Sequence, residues 1–208
     1  MIPKKIHQIW VGDKTPPTEY LETWKRLPGF EYKLWTEKEL NKLDMLNQDK
    51  FDFFMDRKVW HGVADIARVE ILFQYGGFYV DADTKRLRLL PDSWFDNDSF
   101  AVRAYDNPKW KYRITNGHIG SIPKGKLITE YRYQIKQAKK FTPCWSTIGG
   151  TLLTDIIQNK VSETLVLEPY TFYPTDMEGN PINYPDGSIS YATHVWGSKN
   201  KDLYSNKT

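Results

Sequence analysis

The 208-residue sequence has a single cysteine, Cys144, which excludes an internal disulfide and fits a reducing compartment. It has no apolar stretch near the roughly 18 residues a membrane helix needs, and the opening MIPKKIHQIWVG is too polar for a signal peptide or anchor. A soluble, cytoplasmic protein with no integral membrane segment is the expectation. Excess charge of one sign is missing too: 29 Lys and Arg against 26 Asp and Glu leave +3, too balanced to argue for a nucleic-acid partner. There is no internal repeat, low-complexity tract or linker. Residues 1–208 therefore read as one domain with room for a sizeable core.

Aromatic residues are plentiful, at 15% with 8 Trp and 13 Tyr. Flat rings with polar edges suit stacking on nucleobases and sugar faces, and they fill a core equally well.

The opening alternates. Ile6, Ile9, Trp10 and Val11 form a short apolar strand closed by Gly12, Pro16 and Pro17. Thr18 is positioned as the N-cap of a helix that stops by Pro28 and Gly29. Phe30 to Trp35 reads as a second strand, and Thr36 with Glu39 makes a capping box for a helix through Leu43. Strand, helix, strand, helix predicts an α/β fold whose sheet is mostly parallel.

Asn47 to Lys58 reads as a helical connection, Ser99 to Ala104 as a strand, and Asp106 to Tyr112 as a polar loop. Asn116 to Ile122 reads as a strand whose Gly117 and Gly120 admit a close neighbour. Helices are predicted over Gly125 to Lys140 and Ser146 to Asn159, the second weakened by Gly149 and Gly150 so that it starts near Thr151. Short strands follow at Leu165 to Leu167 and Phe172 to Tyr173, then a long turn-rich loop over 174–190. A strand over Tyr191 to Trp196 precedes a polar tail from Gly197.

The stretch from Trp60 to Leu90 organises the rest. Trp60 to Tyr75 has helix length, with Val63, Ile66, Ala67 and Phe73 on one side and His61, Asp65, Arg68 and Leu72 on the other. Glu70 falls near Val63, so the helix is buried over much of its circumference and its polar groups have specific targets. Gly76 reads as a left-handed cap. Phe78, Tyr79 and Val80 then form a strand that delivers Asp81 and Asp83 at its carboxyl end, where open α/β sheets place ligands. Residues i and i+2 of an extended strand share a side, so the two carboxylates converge around Ala82. Like charges so close raise the cost of ionisation unless a cation is present, and hard oxygen ligands suit Mg²⁺ or Mn²⁺.

Four chemistries fit such a turn. In a phosphatase of the haloacid dehalogenase type Asp81 would be the nucleophile, but the downstream acidic metal-ligand pattern is missing. A glycosidase needs carboxylates on opposite faces of a bond, which neighbours on one strand supply poorly. A carbohydrate-binding protein without chemistry would use the aromatics alone. The fourth is glycosyl transfer. Ala64-Asp65-x-x-Arg68, Leu72, Tyr75-Gly76-Gly77, Tyr79 and Asp81-Ala82-Asp83 resemble the sugar-binding region of the family 32 glycosyltransferases, and the DXD region is similar to that of the clostridial glucosylating toxins. Ile2-Pro3-Lys4-x-Ile6-His7-Gln8-Ile9-Trp10 resembles the same family's first strand. Looser likeness extends through Asn116 to Pro123, Ser146 to Thr154 and Tyr191 to Trp196. Members often carry Gly-Pro near Gly149-Gly150, where this sequence departs from them.

The resemblance implies a GT-A fold, a nucleotide-sugar donor with UDP favoured over GDP, a divalent metal, and retention of anomeric configuration. It implies a glycan or lipid-linked glycan acceptor, through which the protein could sit peripherally at a membrane. Carried over by residue, Asp83 would hold the metal and Asp81 the metal or ribose, with Tyr79 and Ala82 in the same donor region. Asp65 and Arg68 would contact the donor sugar, and Ile9 and Trp10 would lie against the base. As catalytic groups, the metal held by Asp81 and Asp83, together with Arg68, would offset charge building on the departing diphosphate. Each has a structural alternative: Trp10 as core, and Asp65 with Arg68 as an i,i+3 ion pair. His7 reads as structural and His118 as incidental. His194 reads either as a packed residue or, should its strand return to the acidic turn, as a further metal ligand.

Overall fold

The computed structural model describes residues 1–106 and 112–195. Its strands are β1 (Lys5–Ile9), β2 (Glu31–Trp35), β3 (Gly77–Val80), β4 (Thr84–Arg86), β5 (Ser99–Arg103), β6 (Ile114–Ser121), β7 (Leu165–Leu167) and β8 (Ala192–His194). Its helices are α1 (Thr18–Lys25), α2 (Glu37–Leu40), α3 (Gln48–Asp56), α4 (Trp60–Tyr75), α5 (Lys126–Gln137), α6 (Cys144–Thr147) and α7 (Gly150–Gln158). Six strands form one sheet in the order β2-β1-β3-β6-β5-β7, and β4 pairs with β8 in a separate ribbon. β1 is parallel to β2 and β3, and β5 to β7, whereas β6 is antiparallel to β3 and β5. Five strands therefore end at one edge of the sheet, and β6 starts there.

Side-chain alternation divides the core between the two faces of the sheet. Tyr79, Ala101 and Ile119 face a cluster that includes Phe51, Phe54, Ile66, Val69, Ile128 and Leu153, from α3, α4, α5 and α7. Phe78, Val80, Phe100 and Val102 face a second cluster with Trp24, Phe95 and Phe172. β3 is buried throughout.

In α4 every residue from Gly62 to Leu72 except Ala64 is buried. Glu70, the misfit in its pattern, accepts hydrogen bonds from Asn47 N (3.0 Å), Asn47 Nδ2 (2.9 Å) and Arg132 Nε (2.7 Å). Gly76 ends the helix at φ 61°, ψ −160°, which is not the expected left-handed helical cap but an extended conformation of positive φ that only glycine adopts readily.

Other boundaries differ from expectation. Pro17, not Thr18, holds the N-cap position of α1, and the Thr18 hydroxyl donates to Pro16 O. The Thr36 and Glu39 capping box is present, but α2 ends at Leu40. The helix expected from Ser146 splits into α6 and α7 around Gly149, where a Cβ would lie 3.0 Å from Trp145 Cα. Phe172 and Tyr173 form no strand; they follow a 3₁₀ turn over Pro169–Thr171 and bury their rings. The segment 174–190 is irregular, with a turn in which Ser188 N donates to Pro185 O (3.2 Å). Trp196, the tail from Gly197 and most of the Asp106 to Tyr112 loop lie outside the described residues.

Candidate active site

Asp81 and Asp83 lie just beyond β3, at the edge where the parallel strands end. Their convergence is made by a turn and not by extended backbone: Thr84 N donates to Asp81 O (3.1 Å), reversing the chain into β4. The β4·β8 ribbon sets His194 opposite Thr84. His194 Nε2 thereby lies 3.2 Å from Asp83 Oδ1 and 3.7 Å from Asp81 Oδ2. One ligand atom from each of the three residues falls within 4.8 Å of the others, the one such triad of metal-ligating side chains among the described residues. Side-chain exposures of 27% for Asp81, 17% for Asp83 and 9% for His194 leave the cluster within reach of solvent.

Asp81 is held from behind. Tyr79 and Asp81 sit two residues apart on one side of the chain, and the Tyr79 hydroxyl donates to Asp81 Oδ1 (2.9 Å). Arg68 of α4 places Nη1 3.3 Å from the same oxygen and Nη2 3.1 Å from Asp65 Oδ1. Arg68 also donates to Asn116 O (2.7 Å) and Ala64 O (3.0 Å), while Asn116 Nδ2 donates to Asp65 Oδ1 (2.7 Å). Gly117 faces Asp81 with no side chain: a Cβ there would press into Oδ2 and lie 3.0 Å from Cγ. The expected close neighbour of this glycine is thus the acidic turn itself.

Burial alone would raise the Asp81 pKa, but Arg68 and His194 outweigh it and hold the carboxyl well below the usual range. Burial works against a charged His194, yet Asp83 and Asp81 raise its pKa to about 10. Asp65 shifts upward through desolvation, which Arg68 opposes.

Several residues expected at the donor are covered. Ile9 packs in the core at 5% exposure, the Tyr79 phenol is buried, and Asp65, Arg68 and Ala82 are buried as well. Asp65 and Arg68 are covered because they bond Asn116 at the start of β6. Trp10 is half-buried, its indole N–H donating to Lys14 O (2.8 Å). His7 is structural, bonding Gly76 O through Nε2 and accepting from Trp35 Nε1 through Nδ1, each at 3.0 Å. His118, which the sequence alone marks as incidental, lies behind the cluster, bonded to Thr84 Oγ1 and Tyr173 OH at 3.0 Å each. Gln8 was missed too; its side chain donates to Asp81 O (3.3 Å) and accepts from Tyr32 OH (3.1 Å). A histidine and a glutamine inside apolar strands were the available signals.

Residues 17–101 match the family described as the glycosyltransferase sugar-binding region containing the DXD motif. An uncharacterized glycosyltransferase of Acanthamoeba polyphaga mimivirus is 31% identical over 207 residues, covering 96% of this chain and 77% of that protein. The chain belongs to this family of DXD glycosyltransferases. Inositol phosphoceramide mannosyltransferase 2 of Schizosaccharomyces pombe is 36% identical over 217 residues, covering 95% of this transferase but only 58% of the yeast protein. The solved PaToxG glycosyltransferase superposes with a TM-score of 0.61 at 15% identity, over 76% of this chain and 70% of that one, a likeness of fold. The transferase thus has the GT-A type of mixed α/β fold. Phosphatase and glycosidase readings of the acidic turn fall with this membership, as does binding without chemistry. Among the described residues no helix is long and apolar enough to cross a membrane.

Proposed function

We propose that residues 1–208 act as one GT-A domain, a metal-dependent, retaining hexosyltransferase. It takes its hexose from a nucleotide sugar, UDP-linked in preference to GDP-linked, and passes it to a glycan or lipid-linked glycan. The observation that carries this reading is the Asp81, Asp83 and His194 cluster at the carboxyl edge of the sheet. Two carboxylates and one imidazole form a donor set that fits Mn²⁺ or Mg²⁺, and the nitrogen ligand favours Mn²⁺. An ion bound there supplies electrostatic stabilisation of the charge that gathers on a departing diphosphate.

The chain's own residues have distinct tasks. Asp81 and Asp83 contribute the ligand oxygens, and His194 contributes Nε2 once it has released the proton that the two carboxylates otherwise hold on it. Arg68 and Tyr79 act through Asp81: they hold its Oδ1 and keep it ionised, leaving Oδ2 on the His194 side, and Asp65 in turn holds Arg68. They therefore serve the donor from behind, without the sugar contact that the family resemblance implies. Trp10, at the end of β1, is on the nucleoside side, with Ile9 lending backbone and packing beneath it. With no carboxylate identified on the opposite sugar face, attack from the leaving-group side is the route proposed. The setting is cytoplasmic, peripheral to a membrane where the acceptor is lipid-linked, and the mannosyltransferase named among the relatives supports such an acceptor.

Calorimetric titration of UDP and GDP, each in Mn²⁺ and in chelator, tests the reading together with donor hydrolysis across a nucleotide-sugar panel. UDP binding strengthened by Mn²⁺ is the expected result. Equal affinity in Mn²⁺ and chelator would sink it.

A further inference from the structure

We propose that His118 and Tyr173 are positioning residues, a buried polar brace that fixes the spacing of Asp81, Asp83 and His194; the inference rests on that cluster being the metal site. The three ligands come from two chain segments more than a hundred residues apart, the β3–β4 turn and β8. What joins these segments directly is a ribbon of three residue pairs, Thr84 with His194, Lys85 with Thr193 and Arg86 with Ala192, closed at its ends by Val195 N donating to Asp83 O (2.9 Å) and by Leu87 N and Arg88 N donating to Tyr191 O (2.8 and 3.1 Å). So short a ribbon is marginal by itself and would not hold ligand atoms to the roughly 0.5 Å that a working site needs.

β6 supplies the missing constraint from beneath. Gly117 O accepts from Asp81 N (2.9 Å), and the next residue, His118, reaches Thr84 Oγ1 through Nε2 (3.0 Å). Two successive residues of one strand thus grip both ends of the acidic turn, one by backbone and one by side chain. The other nitrogen of His118 meets the Tyr173 hydroxyl at 3.0 Å. Tyr173 belongs to the segment that holds His194: Phe172 O accepts from His194 N (3.1 Å), and the Tyr173 ring centre lies 5.8 Å from the His194 ring. The His118 ring itself meets His194 edge-on at 5.7 Å.

Thr84, His118 and Tyr173 are all essentially inaccessible to water. An apolar trio of the same volume would fill this space without desolvating polar groups, so their presence gives orientation in place of simple packing. Thr84 and Tyr173 each offer a hydroxyl that donates or accepts, so a neutral His118 is satisfied at both nitrogens in either tautomer. The brace therefore ties the acidic turn to the segment that carries His194 through fixed hydrogen bonds, independently of any bound donor.

The test is a Mn²⁺ titration of the donor-free protein by calorimetry. Tyr173→Phe removes one hydroxyl and keeps the ring, and roughly 10- to 100-fold weaker Mn²⁺ binding is expected, the scale typical of losing a contact behind a metal ligand. His118→Phe is expected to weaken it at least as much, and should that variant fail to fold, Tyr173→Phe decides alone. Ile135→Ala, which opens a cavity beneath α5, is the control for lost stability and should leave Mn²⁺ affinity unchanged. Folded Tyr173→Phe protein that binds Mn²⁺ as tightly as the parent would overturn the brace, as would an equal loss in Ile135→Ala. A parent protein with no Mn²⁺ affinity would instead overturn the metal reading of the cluster, and the brace with it.

Discussion

Gly117→Ala adds one methyl group at the tightest point of the site. Gly117 has no positive φ, so its backbone accepts alanine, and the whole effect comes from the new Cβ meeting Asp81. The carboxylate has to retreat by about 1 Å to restore an ordinary C···O separation. It cannot simply rotate away, because Oδ1 is held by the Tyr79 hydroxyl at 2.9 Å and by Arg68 at 3.3 Å. Giving up one such charge-assisted bond costs about 1.5–3 kcal/mol. The lower chain entropy of alanine in the unfolded state returns about 0.4–1 kcal/mol. A net loss of about 1–2 kcal/mol in urea unfolding follows. Mn²⁺-dependent UDP affinity should fall by roughly 10- to 100-fold, since Oδ2 faces the cluster. Gly120→Ala, in the same strand, drives its Cβ into the Phe100 ring and should cost stability without touching Mn²⁺ affinity. Calorimetry and urea melts on both variants decide the matter. Unchanged Mn²⁺-dependent affinity in folded Gly117→Ala, or an equal loss in Gly120→Ala, would refute the reasoning.

Asp83→Asn should abolish the gain in UDP affinity on adding Mn²⁺ while leaving the fold intact by circular dichroism; a retained gain would remove Asp83 from the ligand set. Asp65→Asn leaves Asp81 as the carboxylate beside Arg68, whose bonds to Asn116 O and Ala64 O remain, and turnover should fall about 10-fold with UDP affinity nearly intact. A change confined to the melting temperature would assign the pair to the scaffold alone. Arg132→Met leaves the fully buried Glu70 carboxylate without its cation and should cost about 3–5 kcal/mol in urea unfolding; a loss near zero would mean that Asn47 suffices. His7 is buried and neutral, its pKa lowered by desolvation from 6.5 to about 4. The unfolded chain takes up a proton that the folded protein refuses, so this stability is present above pH 6.5 and is lost as pH falls toward 4, by about 3 kcal/mol. Urea midpoints from pH 7.5 to 4.5 should decline less steeply in His7→Gln than in the parent, and parallel curves would exclude His7 as a source.

The sequence by itself determined what depends on near neighbours in the chain. Hydrophobic periodicity placed α4, the Gly76-Gly77 break and β3, because one face or two of a short element must be apolar wherever it is buried. The same local order put Asp81 and Asp83 at the end of a strand, and glycines at 117 and 120 announced close approaches without saying of what. Tertiary structure alone decided the partners. Whether Asp65 and Arg68 point at a ligand or at each other depends on Asn116, about fifty residues away, whose amide and carbonyl complete their hydrogen bonds. Glu70 needed Arg132, His118 needed Tyr173, and His194 had to pair with Thr84 before it could meet the two aspartates. Burying a polar group is tolerable only when its hydrogen bonds are completed, and the residues that complete them come from segments that only the sheet's crossovers bring together. A one-dimensional pattern marks such a group as out of place, and the fold supplies the reason it is there.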